Sequence, residues 1–557
     1  MKRIAVILMM MIGPMLIKAQ PDNIKSKIDS LIGTIINDRT PGCVVGVLKD
    51  GQVIYKQHYG ISNFDFRIPV TDSTLFNLES VSKQFTASLV LLLENEGKLK
   101  LDDSVQKYIP ELKSYGNTIT IRQLLHHTSG MPNFDVINLF AGHPEGAPWD
   151  REDLFNLIQE YHRLNFKPND EFLYSNDGYF LLALVIEKVE GKPFSKCLQE
   201  RIFDPLNMKT ACVYDSPGKV IPNRASGYKT SGKYFIRTNS EGDSNVGYGN
   251  IYLSLIDMIN WSVNMSTRSL GGDKMFDRIF NPVDTLNSGE RITYTYGFFT
   301  WNPGGPKIIY HEGGGTGFRA YFAYYPNSDF SVFIMANNEL TDVMQLESTF
   351  TEWCLKDSIK KEVKKEHKEI QINKELYQHY TGSYVHPKGL LLKFEIENDT
   401  LKLLIPDGPR LALYPENANE FFFKDFDVQC TFVKNENGKV NEIIWHQNKE
   451  SSKCLRLEES KAFTKKELQN FTGEYEIPGL KVTYPVYLKD NDLFITLPKT
   501  FRERDFNTEM KITHMSGDKF LSSLGIIEFK RDKKAKISSF VIADVGRLRN
   551  IEFTRKD

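Results

Sequence analysis

Ser80-Val81-Ser82-Lys83 sets a hydroxyl and a primary amine three residues apart, just ahead of an apolar run to Leu93 that reads as a helix. Residues at i and i+3 share one helix face, so Lys83 projects beside Ser80. A serine hydroxyl is a poor nucleophile until a base takes its proton, and a desolvated lysine can be that base. Taken alone, the pair more often describes a helix start with a solvated lysine. Three further clusters keep it company.

Tyr174-Ser175-Asn176 follows the loop Lys167-Pro168-Asn169-Asp170 and precedes the helical run Gly178 to Val189. A phenol there could relay a proton, and the Asn176 carboxamide could orient Lys83 or donate to a substrate amide. The plainer alternative is a core tyrosine with a helix-capping asparagine. His311-Glu312-Gly313-Gly314-Gly315-Thr316-Gly317 ends a strand, and its glycines let a substrate backbone come close. It lacks the Gly-Lys-Ser/Thr ending of a phosphate loop, which argues against nucleotide binding. Leu124-Leu125-His126-His127-Thr128-Ser129-Gly130 reads as a helix ending in a tight turn, with His127 a helix-end residue rather than a catalyst.

The elements that must position these residues follow from periodicity. Asn23 to Asn37 has helical spacing, Pro41-Gly42 breaks it, and Cys43 to Leu48 reads as a buried strand. Asp50-Gly51 is a hairpin signal, and Gln52 to Tyr59 is its return strand. Helical patterns dominate from Thr74 to about Asp257. Strands return at Tyr294 to Phe299, Ile308 to Glu312, Phe318 to Tyr325 and Ser331 to Met335, and a helix spans Asp342 to Lys356. Strands from both ends with helices between them imply an α+β domain: an antiparallel sheet plus a helical cluster. Beyond a charged stretch, Leu376 to Tyr384 resembles Leu468 to Tyr475, and Asn398 to Pro406 resembles Asp490 to Pro498. Two copies of one β unit, each about 90 residues, account for this, and such small sheets close into barrels or sandwiches. The expected organisation is a leader over 1–20, a catalytic domain over 21–357, a charged linker over 358–372, and β units over 373–460 and 461–557.

Ser-x-x-Lys, then Tyr-Ser-Asn, then His-x-Gly, with a His-Thr-Ser-Gly turn after the first, resembles the serine β-lactamase and penicillin-binding-protein superfamily. Class C β-lactamase relatives, D-alanyl-D-alanine carboxypeptidases, D-aminopeptidases and related esterases are the nearest branch. The resemblance covers about residues 25–355. It implies a β-lactamase/transpeptidase-like domain followed by two small all-β, barrel-like domains. It also implies that Ser80 is acylated, that Lys83 and Tyr174 manage its proton, and that Asn176 positions Lys83 and the substrate amide. His311, Gly313 and Gly314 would stand along the substrate, with the Ser80 and Gly314 N–H groups forming the oxyanion hole. Which of Lys83 and Tyr174 is the base stays open. The β units resemble lipocalin-like barrels appended to some members.

The chain departs from the family where β-lactamases mostly carry Lys-Thr-Gly and this one has His311-Glu312-Gly313. A histidine is largely neutral at pH 7, so a fixed charge for a substrate carboxylate is missing there. Arg319 is the residue expected to replace it. This favours peptidase or esterase chemistry over efficient β-lactam hydrolysis; the expected partner is a small peptide, ester or β-lactam substrate. A slow-turnover penicillin-binding protein or class C-like β-lactamase, and a non-catalytic binder using its β units, are the alternatives.

Composition bounds the rest. In 557 residues, 70 Lys and Arg nearly balance 71 Asp and Glu, which gives no electrostatic case for nucleic acid. Lys2, Arg3, the apolar Ile4 to Ile17 and Ala19 read as an export signal, leaving an exported protein, periplasmic or secreted, with no stable membrane span. The six cysteines form no zinc pattern; Cys430 with Cys454 is the pairing to expect if any disulfide forms. No metal or organic cofactor is implied, and a homo-oligomer is left open.

Overall fold

The computed structural model describes residues 21–144, 150–238, 244–301, 307–355, 367–387, 390–404, 409–447, 450–457, 463–504 and 506–556. The expected leader and residues 358–366 of the expected linker lie outside the described residues.

Seven antiparallel strands form the central sheet, in the order Tyr294–Thr295, Phe298–Trp301, Ile308–Gly315, Phe318–Tyr325, Phe330–Ala336, Cys43–Lys49, Gln52–Tyr59. The two ends of the segment meet in it, with Cys43 opposite Ala336. The hairpin at Asp50-Gly51 has φ of 52° and 69°, the pair of left-handed residues that matches strand twist. Every residue of Phe330–Ala336 is buried, because the sheet is covered on both faces. Helices Pro21–Ile35 and Val343–Leu355 cover one face through Ile28, Ile32, Leu346 and Phe350. The helical cluster, including Lys83–Asn95 and Asn176–Glu190, packs on the other.

One expected strand is instead a hairpin. Tyr294 to Phe299 is interrupted by a turn at Tyr296, with φ 44°, and Gly297, with φ 89°. Tertiary packing is the reason: a β-carbon on Gly297 would lie 2.7 Å from the Gln84 α-carbon and 2.7 Å from the Lys83 carbonyl oxygen. The turn tip is pressed onto the start of the lysine-bearing helix.

After the α+β domain, the first β unit is a nine-stranded sheet whose edge strands, Arg410–Ala412 and Tyr414–Pro415, are separated in the chain by Leu413 alone. Its two edges therefore converge at one corner. The second unit is a closed barrel, in which Gly473–Glu476 pairs with both Thr483–Lys489 and the last strand, Leu548–Arg555. The internal repeat is visible in polar details. Arg456 Nη2 donates to the Thr381 carbonyl and Arg555 Nη2 to the Thr472 carbonyl, each at 2.6 Å. The first unit has its own core around Tyr380, Tyr384 and Phe432. The second shares a continuous core with the catalytic domain. Phe140 anchors that junction among Tyr484, Phe501 and Phe553, with ring centroids 6.3, 5.1 and 5.9 Å away. Tyr484 Oη donates to the Phe140 carbonyl, and Thr500 Oγ1 to the Leu139 carbonyl at 2.7 Å.

All six cysteines are free thiols, which corrects the Cys430–Cys454 expectation. The two sit on strands either side of Val440–Gln447, two strand spacings or about 10 Å apart, beyond disulfide reach. Among the described residues no helix is long and apolar enough to cross a membrane.

Truncating Phe140 to Ala should cost about 3–5 kcal/mol. A lower melting temperature and faster proteolysis at the barrel junction are expected; an unchanged melt would remove this contact from the stabilising core.

Candidate active site

Glu79–Ser82 is a 3-10 turn that runs directly into the helix Lys83–Asn95. Three residues per turn bring i and i+3 into line, so Ser80 and Lys83 stand one above the other. Glu79, just before the serine, is held at φ 48°, a conformation that persists only where surrounding structure imposes it. The imposition is visible on two sides. Thr316 Oγ1 donates to Glu79 Oε1 at 2.7 Å, and the Ile251 N–H donates to Ser82 Oγ at 3.3 Å. Strand Ile308–Gly315 lies directly against the turn: a β-carbon on Gly313 would be 2.2 Å from the Leu78 carbonyl oxygen and 3.1 Å from the Ser80 nitrogen. Only glycine allows that approach.

Ser80 is half-buried, whereas Lys83 is fully buried. Lys83 Nζ is 2.8 Å from Asn176 Oδ1, 2.9 Å from the Tyr248 carbonyl oxygen and 3.1 Å from Ser80 Oγ. The rings of Tyr174, Tyr179 and Tyr248 surround it, 4.8, 5.6 and 5.7 Å from Nζ. Burial, with the Arg547 guanidinium second, holds its pKa well below the ordinary lysine value. A neutral amine has two N–H groups and one lone pair. The amide and carbonyl oxygens can only accept, so they take the two N–H groups. The lone pair is left for the one neighbour able to donate, the Ser80 hydroxyl.

Asn176 is pinned at both ends, accepting from Lys83 and donating through Nδ2 to Asp135 Oδ2 at 3.0 Å. Tyr174 Oη is buried with no hydrogen-bond partner. Burial raises the phenol's pKa, opposed by the nearby Ser80 hydroxyl and Arg547, so it keeps its proton. Its ring lies 4.2 Å from that of His127, whose Nδ1 accepts from the Ser175 N–H at 3.1 Å. His127 is held neutral by burial, with Lys83 second, and shapes the wall behind Tyr174. His311 is also fully engaged. Its Nδ1 faces the Glu312 carbonyl at 2.6 Å and so carries the proton, leaving Nε2 to accept from Tyr294 Oη at 3.0 Å. Burial first, then Lys83, lowers its pKa to about 3. It offers no charge to a substrate.

Strand alternation separates the glycines. Gly313 faces the serine turn, so Gly314 and its cross-strand partner Arg319 face the opposite side. Arg319 Nη1 donates to its neighbour's Phe318 carbonyl at 3.1 Å. The expectation that Arg319 replaces the missing cation is therefore corrected. The structure thus brings Ser80, Lys83, Tyr174, Asn176, His311 and Gly313 together and turns Gly314's α-carbon face away. Sequence reasoning missed Asp135, Tyr248, Tyr294 and Arg547. Tyr294 stands in a stretch that reads as an ordinary strand, Asp135 follows the Leu124–Gly130 cluster by five residues without being part of it, and Tyr248 and Arg547 belong to segments far from any motif. Among the described residues no group of His, Cys, Asp and Glu is arranged to hold a metal ion.

Residues 24–349 match the family model described as Beta-lactamase, and 366–459 match a domain of unknown function, DUF3471. The chain is 29% identical over 424 residues to penicillin-binding protein 4* of Bacillus subtilis (strain 168), covering 72% of this chain and 92% of that one. It is 29% identical over 299 residues to a D-aminopeptidase of Gluconobacter oxydans (strain 621H), covering 54% of this chain but only 56% of that one. Among solved structures, an octameric penicillin-binding protein homologue from Pyrococcus abyssi superposes with a TM-score of 0.53 at 21% identity, over 85% of this chain and 98% of that one. That likeness is one of fold.

Between its lowered folded value and the ordinary value of 10.5, Lys83 binds fewer protons folded than unfolded. Stability should therefore rise with pH across that window and fall as pH drops. Denaturant melts of Lys83→Met should show a flatter pH dependence there than the wild type; an identical slope would mean that the amine is charged in the fold.

Proposed function

The chain belongs to the beta-lactamase family, and from that premise we propose that it is an exported serine hydrolase that forms an acyl-enzyme on Ser80 and acts on small D-amino-acid peptides. The observation that carries this reading is the placement of Lys83 Nζ, 3.1 Å from Ser80 Oγ while two oxygens that can only accept, Asn176 Oδ1 and the Tyr248 carbonyl, take its other contacts. The kinship with a D-aminopeptidase and a penicillin-binding protein supports the substrate class.

The chemistry follows from the two shifted groups. Neutral Lys83 takes the Ser80 proton as Oγ bonds to the substrate carbonyl carbon, and the carbonyl electrons move to oxygen. N–H donors of the Ser80 turn and of the Gly313-Gly314 strand would meet that oxyanion, worth a few kcal/mol of barrier. Tyr174 keeps its proton until collapse, when the phenol protonates the departing amine; Lys83 then returns its extra proton to the phenolate. Water repeats the sequence on the acyl-enzyme, with Ser80 as the leaving group. Base and acid are thus divided between an amine pushed down and a phenol pushed up. His311, neutral and spent on Tyr294 and the Glu312 backbone, supplies no cation for a substrate carboxylate.

Ser80→Ala and Lys83→Ala should each lower kcat on a D-amino-acid peptide panel by about 10³-fold or more. Intact-mass spectrometry should show an adduct of a slow ester or penicillin on the wild type and none on Ser80→Ala. A stable adduct without turnover would convert the reading to a penicillin-binding protein; wild-type protein with neither adduct nor product would sink it.

A further inference from the structure

Arg547 belongs to the C-terminal barrel, yet it reaches the catalytic residues. It sits in the turn between strands Ile537–Val545 and Leu548–Arg555. That hairpin is clamped to the catalytic domain by Asn165. The Asn165 Nδ2 donates to the Arg547 carbonyl at 3.3 Å, and its Oδ1 accepts from the Arg549 N–H at 2.9 Å. Arg549 is ion-paired to Glu171, three residues before Tyr174, and to Asp544 at 3.3 Å. The barrel tip is thus fastened to the very loop that delivers Tyr174.

The two arginines of this tip differ in what they meet. Arg549 is spent on carboxylates. The Arg547 guanidinium is exposed, lies 4.6 Å from the Tyr174 ring, and is paired with no carboxylate among the described residues. Tyr174 therefore has a buried amine and a free guanidinium each within 5 Å of its ring. With His311 neutral and Arg319 on the far side of the sheet, Arg547 is, of the cations described at this site, the one placed over Tyr174 to receive an anion. Its planar fork suits a carboxylate.

We propose that Arg547, from the C-terminal barrel, is the specificity-determining residue that binds the terminal carboxylate of the substrate's leaving residue. This rests on the function proposed above. Because Tyr174 faces the departing nitrogen, a guanidinium stacked on Tyr174 stands on the leaving-group side. The substrate would be a peptide ending in a free carboxylate, cut at its last amide bond: water adds to the acyl carbon, and the terminal amino acid leaves with its own carboxylate still ionised. Arg547 additionally favours the neutral form of Lys83 by charge repulsion.

The test uses full-length protein and an N-acetylated D,D-dipeptide, as free acid and as C-terminal amide. In the Ser80→Ala background, calorimetry should show the acid binding about tenfold or more tighter than the amide. Adding Arg547→Gln should bring the two affinities together, while Arg547→Lys should keep part of the difference. In the otherwise wild-type enzyme the acid-to-amide ratio of kcat/KM should collapse in the same order. A preference that survives Arg547→Gln, or equal binding of acid and amide before any change at 547, would overturn the proposal. Arg547→Gln moving only the melting temperature would reduce the residue to a domain contact. If the binding preference appears but the wild type neither acylates nor turns over, the carboxylate site stands and the hydrolase reading falls.

Discussion

An amine withdrawn from water is the constraint on which the rest of the site depends. Burying an ammonium without a counter-ion is strongly unfavourable, and no carboxylate lies within ion-pair distance of Lys83 among the described residues. Burial therefore holds the Lys83 pKa well below the ordinary lysine value, which favours the neutral amine. Two pure acceptors then consume its N–H groups, so the serine is addressed by elimination. Asp135 holds the Asn176 amide, and the Tyr174, Tyr179 and Tyr248 rings keep water out. A site that depends on desolvation must be enclosed by packing from all sides, which explains why its walls come from segments so far apart in the chain.

Enclosure in turn demands close backbone approach. The serine turn is wedged between strand Ile308–Gly315 and the helix it initiates, and the Tyr296-Gly297 turn presses on the first residues of that helix. At Gly313 and Gly297 a side chain would overlap neighbouring backbone atoms. The motif glycine therefore lets the sheet touch the nucleophile turn directly, and the catalytic geometry is set by rigid elements rather than by loops.

The tandem β units show one architecture put to two uses. They share the arginine that ties the last strand to the carbonyl preceding the first. The first unit buries its own aromatic core. The second has merged its core with the helical cluster through Phe140, and its last hairpin packs beside Tyr174. Fastening at Asn165 and Glu171 is polar and local, whereas the Phe140 junction is apolar; together they fix both position and orientation.

Local pattern carried a good deal. The Ser80–Lys83 spacing, the Asp50-Gly51 turn, the strands Phe318–Tyr325 and Phe330–Ala336, and the repeated β unit follow from periodicity and turn chemistry, which act over a few residues. Where neighbours in space overrule neighbours in sequence, the reading diverged. The Tyr294–Phe299 stretch has strand composition, but contact with the Lys83 helix folds it into a hairpin. Arg319 sits beside a motif yet points to the wrong face, because alternation along a strand is blind to which side holds the nucleophile. Arg547 lies 464 residues from Lys83 and carries no motif at all. The sequence by itself determined which atoms could do chemistry and which elements would carry them. Tertiary structure alone decided which amine lost its proton, which histidine was spent and which arginine was left free, because desolvation and charge pairing are properties of the enclosing volume and not of the chain.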